Sequence, residues 1–132
     1  PFLWGSKRTG PDLHRVGKKY PNSWHYNHMI DPTSTSPGSI MPPYPWLVEN
    51  DLDLSLTKQK IETLMMLGTP YGEGYEEIAL DDLKAQARQV VAQLKEEGIE
   101  EEGLETKEII AIIAYLQRLG TDIQPKPKQV NN

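Results

Sequence analysis

The residue with the most distinctive chemical setting is Met41, in the stretch GSIMPPYPWLVEN at residues 38–50. A thioether is either filler for an apolar core or a soft ligand, and as an axial ligand it raises the potential of haem iron. The prolines at 42, 43 and 45 each remove a backbone donor and set a φ angle, so the segment reads as a stiff loop that holds Met41, Tyr44 and Trp46 in set directions. A sulfur with a fixed direction is what an iron ligand requires. A second candidate is the pair His25 and His28, with His14 upstream. An i, i+3 pair can hold a metal from one helix face, but no third or fourth ligand stands at a recognisable spacing, so packing or surface histidines are the default reading. Carboxylates gather at Glu76, Glu77, Asp81 and Asp82 and again at Glu100, Glu101 and Glu102, where helix starts and a solvated loop explain them. There is no nucleophile–base pair, no glycine-rich phosphate loop ahead of a helix and no HExxH, so no residue is assigned a catalytic role.

The elements that must position these groups are helical. Residues 1–21 read as loop with short turns, and a short helix is expected over 23–30, capped by Asn22 or Ser23 and ended by Asp31-Pro32. Trp24, His28 and Ile30 share a face of it. Residues 32–40 read as an open loop. Thr57 opens a helix over 58–67 with Ile61, Leu64 and Met65 as a buried stripe and Gly68 at its end. After a GTPYGEGYEE turn, a helix from residue 80 or 81 to 97 carries Leu83, Ala87, Val90, Val91 and Leu94 on one face. The last helix, 107–119, is capped by Thr106 and stopped by Gly120; Ile109, Ile110, Ile112, Ile113, Leu116 and Leu119 cover well over half its circumference, so it is expected to be the most buried. The tail 122–132 is polar and proline-interrupted. No strand pattern stands out, and the fold class is all-α, with about four helices and long loops.

Composition narrows the function. At 132 residues, 37% hydrophobic and 25% charged, the chain is the size of one domain. A net charge of −5 argues against nucleic acid as a partner. Lys7, Arg8, Arg15, Lys18 and Lys19 form the only basic cluster and read as a solvated loop or a docking patch for an acidic protein. The absence of cysteine excludes disulfides, thiolate catalysis, iron–sulfur clusters and Cys-ligated zinc. No apolar run approaches the ~18 residues that cross a bilayer, and no signal-peptide pattern is visible. A chain that begins at Pro1 without Met is expected to be part of a longer polypeptide.

Read together, PFLWGSKRTGPDLHRVGKKYPNSWHYNHMIDP, SIMPPYPWL and EIIAIIAYLQRLGT resemble one family, the mono-haem cytochrome c subunit (FixO, also called CcoO) of cbb-type haem–copper cytochrome c oxidases. The resemblance runs from Pro1 to about Thr121, with residues 70–104 a divergent, acidic helical insert. It implies a cytochrome c-like domain over 1–121 that lacks its N-terminal haem-attachment helix and C-x-x-C-H motif. It implies haem c in the intact protein, electron transfer towards the haem–copper catalytic subunit, and catalytic and di-haem subunits as partners. It implies a place on the periplasmic face of the bacterial inner membrane, with a membrane anchor outside this sequence. By the same resemblance Met41 is the distal iron ligand, and the carbonyl of Pro11 accepts a hydrogen bond from the proximal imidazole. Leu13, Trp24, Tyr44, Trp46, Ile113 and Leu116 are expected as haem-pocket or core positions, from their apolarity and placement.

Without cysteine the chain cannot form thioether links to haem. Without a first helix the isoleucine face of the last helix needs another cover, because each large apolar side chain left exposed forfeits ~1.5–3 kcal/mol. The covers expected are a second copy of the chain, giving a homo-oligomer, or the third helix folded across the face. The reading from a different class is a haem-free helical module for binding or oligomerisation.

Overall fold

The computed structural model describes residues 9–121. The Lys7–Arg8 half of the basic cluster and the tail 122–132 lie outside the described residues. Within them the chain is helical: α1 (Asn22–Ile30), α2 (Pro32–Thr35), α3 (Trp46–Glu49), α4 (Thr57–Met66), α5 (Tyr75–Glu96) and α6 (Glu108–Arg118), with 3-10 turns at Leu13–Arg15 and Leu104–Thr106. The four long helices are the four that sequence periodicity predicts. The only pairing of strand type among the described residues is an isolated bridge between Asp51 and Lys107.

The core forms around α6. Ile109, Ile110 and Ile113 are buried and meet Ala87, Val91 and Leu94 of α5, Leu104 before α6, and Tyr26 of α1. The isoleucine face is thus covered from within the chain, by α5 on one side and α1 on another. At the end of α5, Gly98 takes a φ of +97° and the Ile99 N–H bonds the Leu94 carbonyl at 2.8 Å, which turns the chain and tucks Ile99 against the core. Segment 50–52 then runs beside the start of α6: the Leu52 N–H bonds the Thr106 carbonyl at 2.8 Å and the Glu108 N–H bonds the Asn50 carbonyl at 3.1 Å. The Lys107 ammonium bonds the Asp51 carboxylate at 2.8 Å, and this bond leads the causes that hold the Asp51 pKa below its ordinary value.

Several boundaries differ from expectation for local reasons. Residues 32–35 form a helical turn rather than open loop, because Pro32 suits the first helical position and the Asp31 carboxylate accepts from both the N–H (3.2 Å) and the hydroxyl (2.7 Å) of Thr33. α1 begins one residue early, after Pro21, with no side-chain cap. α5 begins at Tyr75, so GTPYGEGYEE is turn only as far as Gly74, and Glu76 and Glu77 rather than Asp81 and Asp82 occupy its first turn. Thr106 does not cap α6; its hydroxyl goes to Asp51 at 3.1 Å, and Lys107 takes the cap position. The stripe on α4 is not buried: Ile61 and Met65 are half-buried and Leu64 is exposed, because only α5 lies against this helix closely.

The first loop is locked to the far end of α6. The Gly17 N–H bonds the Leu119 carbonyl at 2.8 Å, and a Cβ on Gly17 would lie 2.4 Å from that oxygen. The approach is mutual, since a Cβ on Gly120 would meet the His14 carbonyl oxygen at 2.7 Å. Two backbones are in contact here, and no side chain can yield.

Ile113, with no exposed surface, should lose about 2–5 kcal/mol on Ile113→Ala. Met66→Ala, at a side chain 87% exposed, should stay within ~0.5 kcal/mol; urea unfolding followed by circular dichroism measures both. In the same assay Gly17→Ala should lower the unfolding midpoint clearly, while Gly10→Ala, where a Cβ meets nothing within 4 Å, should leave it close to the parent value.

Candidate functional site

Two loops carry the residues singled out by chemistry, and α1 lies between them. The first runs from Pro11 through the 3-10 turn Leu13–Arg15 to Pro21; the second runs from Ser36 to Pro45 and holds Met41. Met41 is half-buried, and its N–H bonds the Ser39 hydroxyl at 3.2 Å. Three residues on, the Tyr44 N–H bonds the Met29 carbonyl at 2.7 Å, which fastens the loop to the last turn of α1. Tyr44 then meets Trp46 edge-on, with ring centres 5.1 Å apart, and Leu47 and Val48 reach the core. Trp46 is the first residue of α3 rather than part of the loop. The loop is therefore stiff from its prolines and also pinned at its C-terminal side.

α1 presents two faces. Asn22, His25 and Tyr26 are buried and Met29 packs on the core, an i, i+3, i+4, i+7 pattern that points inward. Trp24 and His28 stand on the neighbouring face in a column of rings. Tyr20 stacks on Trp24 at 4.0 Å and Trp24 stacks on His28 at 4.5 Å, both pairs within 13° of parallel. The column runs from the end of the first loop to the end of α2, where the His28 Nδ1 is 2.6 Å from the Thr35 hydroxyl. The shared face of Trp24 and His28 is as expected; Ile30 leaves it for the core.

A polar network, with Asn22 buried and its partners at the surface, ties this helix to α5 and α6. The Asn22 amide donates to the Gln93 side-chain oxygen at 2.6 Å and accepts from the Gln117 amide at 2.9 Å, and Gln117 also donates to the Tyr20 carbonyl at 2.7 Å. The Lys18 N–H returns a bond to the Gln117 oxygen at 2.8 Å. Tyr26 donates to the Glu101 carboxylate; burial first and then that carboxylate push the phenol pKa up, so it stays a neutral donor. Beside the network lies a groove of about 350 Å³ lined by Lys18, Tyr20, Asn22, Gln93, Glu97 and Gln117.

His25 is the exception to this pairing. It is 2% exposed, yet its Nε2 has no hydrogen-bond partner among the described residues. Tyr20 and Trp24 meet its ring edge-on, at 6.1 Å and 5.3 Å. Burial and, second, the charge of His28 hold its pKa below 6.5, so the imidazole is neutral at pH 7. His28 is lowered by burial as well. The two histidines serve different surroundings, and no group of three or more His, Cys, Asp or Glu side chains gathers to hold a metal among the described residues.

Other expected positions divide clearly. Ile113 and Leu116 belong to the core. Leu13 and Trp46 are 49% and 47% exposed and Pro11 is exposed, so none of these three is a core residue. Sequence reasoning placed no weight on Tyr20, the first ring of the column, or on the inward direction of His25. The spacing of Asn22, His25, Tyr26 and Met29 carried that signal, but two polar residues in the pattern hid it.

The pKa directions of His25 and His28 fix a pH dependence. The unfolded chain takes up protons at these rings before the folded chain does, so stability is full above about pH 6.5 and declines as pH falls below it. Urea midpoints measured from neutral to mildly acid pH should show this decline, made shallower but not abolished by His25→Gln. A midpoint that rises as pH falls through this range would contradict the assignment.

A family model described as "Cytochrome C oxidase, mono-heme subunit/FixO" matches residues 1–123. No curated protein matches the chain. The match takes in both loops, the ring column and all six helices, and the chain belongs to the FixO family, the mono-haem subunit of cytochrome c oxidase.

Proposed function

We propose that this chain is the electron-carrying domain of a cbb-type oxidase subunit and that the thioether of Met41 is the distal ligand to its haem iron. Membership of the family makes the chain part of an electron-transferring oxidase complex whose partners are other oxidase subunits. The finer reading rests on the single observation that the Met41 loop is rigid and anchored: three prolines fix it and the bond from the Tyr44 N–H to the Met29 carbonyl fastens it to α1.

The donor set suits the role. Met41 is a soft sulfur donor that keeps its electron pair at any pH, and it is half-buried rather than packed away in the core. The aromatic column of Tyr20, Trp24 and His28 and the half-exposed Leu13 and Trp46 supply apolar surface that a flat macrocycle can cover. A buried polar atom without a partner, the His25 Nε2, is present beside the column. When bound, haem c supplies a one-electron couple at iron. The chain's own residues hold the sulfur in direction, exclude water with aromatic rings and, through the Pro11 carbonyl, are suited to orient a proximal imidazole. Covalent attachment requires cysteines that this sequence does not contain.

The resemblance of the GPDL, MPPYPWL and AYLQRLGT segments supports haem c as the cofactor, catalytic and di-haem subunits as neighbours, and a periplasmic position. No helix among the described residues is long and apolar enough to cross a membrane.

The test is Met41→Ala in the haem-loaded subunit. The low-spin methionine-ligated absorption spectrum should be lost while haem stays attached and helix content is unchanged. Met66→Ala, at an exposed methionine, should leave the spectrum intact. A normal spectrum in Met41→Ala would remove Met41 from the role.

A further inference from the structure

The two ends of α6 differ sharply in charge. Where α6 ends, the loop over residues 9–21 is clamped to it by the bond from the Gly17 N–H to the Leu119 carbonyl and by the close approach of Gly120 to Arg15. This end presents Arg15, Lys18 and Lys19, all exposed, with Arg118 in the last turn of the helix. Asp12 is the one acid in residues 9–21, and residues 109–121 contain none. The acids at the start of α5 have partners of their own: Glu77 pairs with Lys58 at 2.7 Å, and Asp82 accepts from the Tyr75 hydroxyl at 2.7 Å and the Gln86 amide at 3.0 Å. Where α6 begins, Asp51 lies beside Lys107, and Glu101, Glu102, Glu105 and Glu108 follow closely in sequence. A rise of ~1.5 Å per residue separates the two ends by about 16 Å. That exceeds the screening length of ~8 Å at physiological ionic strength, so the ends act as separate patches.

The basic end is also held in a fixed shape. Lys18 has a φ of +63°, in the left-handed region that favours glycine, and is the one non-glycine among the described residues to do so. Its N–H bonds the Gln117 side-chain oxygen at 2.8 Å, and the Lys19 N–H bonds the Val16 carbonyl at 3.1 Å. A glycine would make the same backbone bonds without strain, so what a lysine adds here is its ammonium. The Lys19 ammonium lies 5.4 Å from the centre of the Tyr20 ring, the first ring of the column. Lys18 and Tyr20 also line the groove of about 350 Å³, which has room for a side chain from outside. Glu97, the one acid in that lining, already accepts from the Ser23 N–H at 2.6 Å.

We propose that this basic end is a docking surface for an acidic protein partner, with Lys18 and Lys19 as its principal contacts. The chain as a whole carries a net charge of −5, so an acidic partner is attracted here and repelled by the acidic end. The asymmetry sets the orientation of the encounter as well as its place. A partner seated here meets the Tyr20 end of the ring column. The proposal does not depend on which residue ligates iron.

The full ¹⁵N-labelled subunit titrated with a glutamate-rich peptide tests it. Amide shifts should gather at residues 15–20 and around Arg118. Binding should weaken steeply between ~0.01 and ~0.15 M salt, as the screening length falls from about 30 Å to about 8 Å. Lys18→Gly and Lys19→Ala should each weaken it by roughly two- to fivefold, while Lys60→Ala, at an exposed lysine of α4, should leave it unchanged. Lys18→Gly separates contact from structure, because it keeps the backbone bonds and should hold its urea midpoint close to the parent value. If Lys18→Gly does not fold, Lys19→Ala carries the test. Shifts centred elsewhere, binding indifferent to salt, full-strength binding by the folded lysine variants, or no binding at all would overturn the proposal. Tighter binding to anionic phospholipid vesicles than to the peptide does so too, since it assigns the surface to a membrane.

Discussion

One helix face must be kept from water, and the placement of α1, α3 and α5 follows from that. Ile109, Ile110 and Ile113 form the apolar side of α6, and no single partner helix covers it. α5 lies along one flank with Ala87, Val91 and Leu94, α1 closes another with Tyr26 and Met29, and Leu47 and Val48 of α3 reach in from the Met41 side. Burial on this scale is the main favourable term in a domain of this size, so these contacts decide the fold. Both loops of chemical interest are then attached to the same scaffold. The first is clamped at Gly17 against the C-terminal end of α6, and the second is pinned at Tyr44 to α1. A rigid body presenting two loops is the arrangement in which a small number of side chains can hold a ligand in set geometry.

Polar bonds at the edge of the core hold α1 to α5 and α6. Asn22, Gln93 and Gln117 satisfy one another and the backbone of residues 18 and 20, and they join three parts of the chain that apolar contacts alone would leave free to slide. The Asn22 amide is the buried member and would be costly there unless its partners were in place. The ring column starts beside this fixation. Tyr20 sits between the clamp at Gly17 and the start of α1, with its carbonyl held by Gln117 and its ring stacked on Trp24.

Much of this was legible in the sequence. Isoleucine spacing gave α6 its place, the Leu83–Leu94 pattern gave α5 its inward side, and the prolines around Met41 gave the stiff loop. The start of α5 was missed because the tyrosine and two glutamates after Gly74 resemble the turn before them, while a helix start tolerates acids well. Residues 32–35 were missed because Ser, Thr and Pro are poor helix formers in isolation; the Asp31 cap outweighs that over one turn. The stripe on α4 had the right period, but α5 covers it only in part, with Ile61 and Met65 half-buried and Leu64 exposed, and periodicity does not say how fully a partner covers a face. Leu13 and Trp46 were read as haem-pocket or core positions from apolarity and placement; their exposure removes the core alternative, which apolarity could not separate from the other. The inward turn of His25 was hidden for the opposite reason: buried polar residues do not announce themselves in a hydrophobic pattern.

The central claim is that a thioether held by prolines and pinned to α1 ligates iron. X-ray absorption at the iron edge of the haem-loaded subunit tests it most directly. The account predicts one sulfur scatterer in the coordination sphere, alongside the porphyrin and imidazole nitrogens, in both oxidation states. A sphere made of nitrogen and oxygen alone would contradict it.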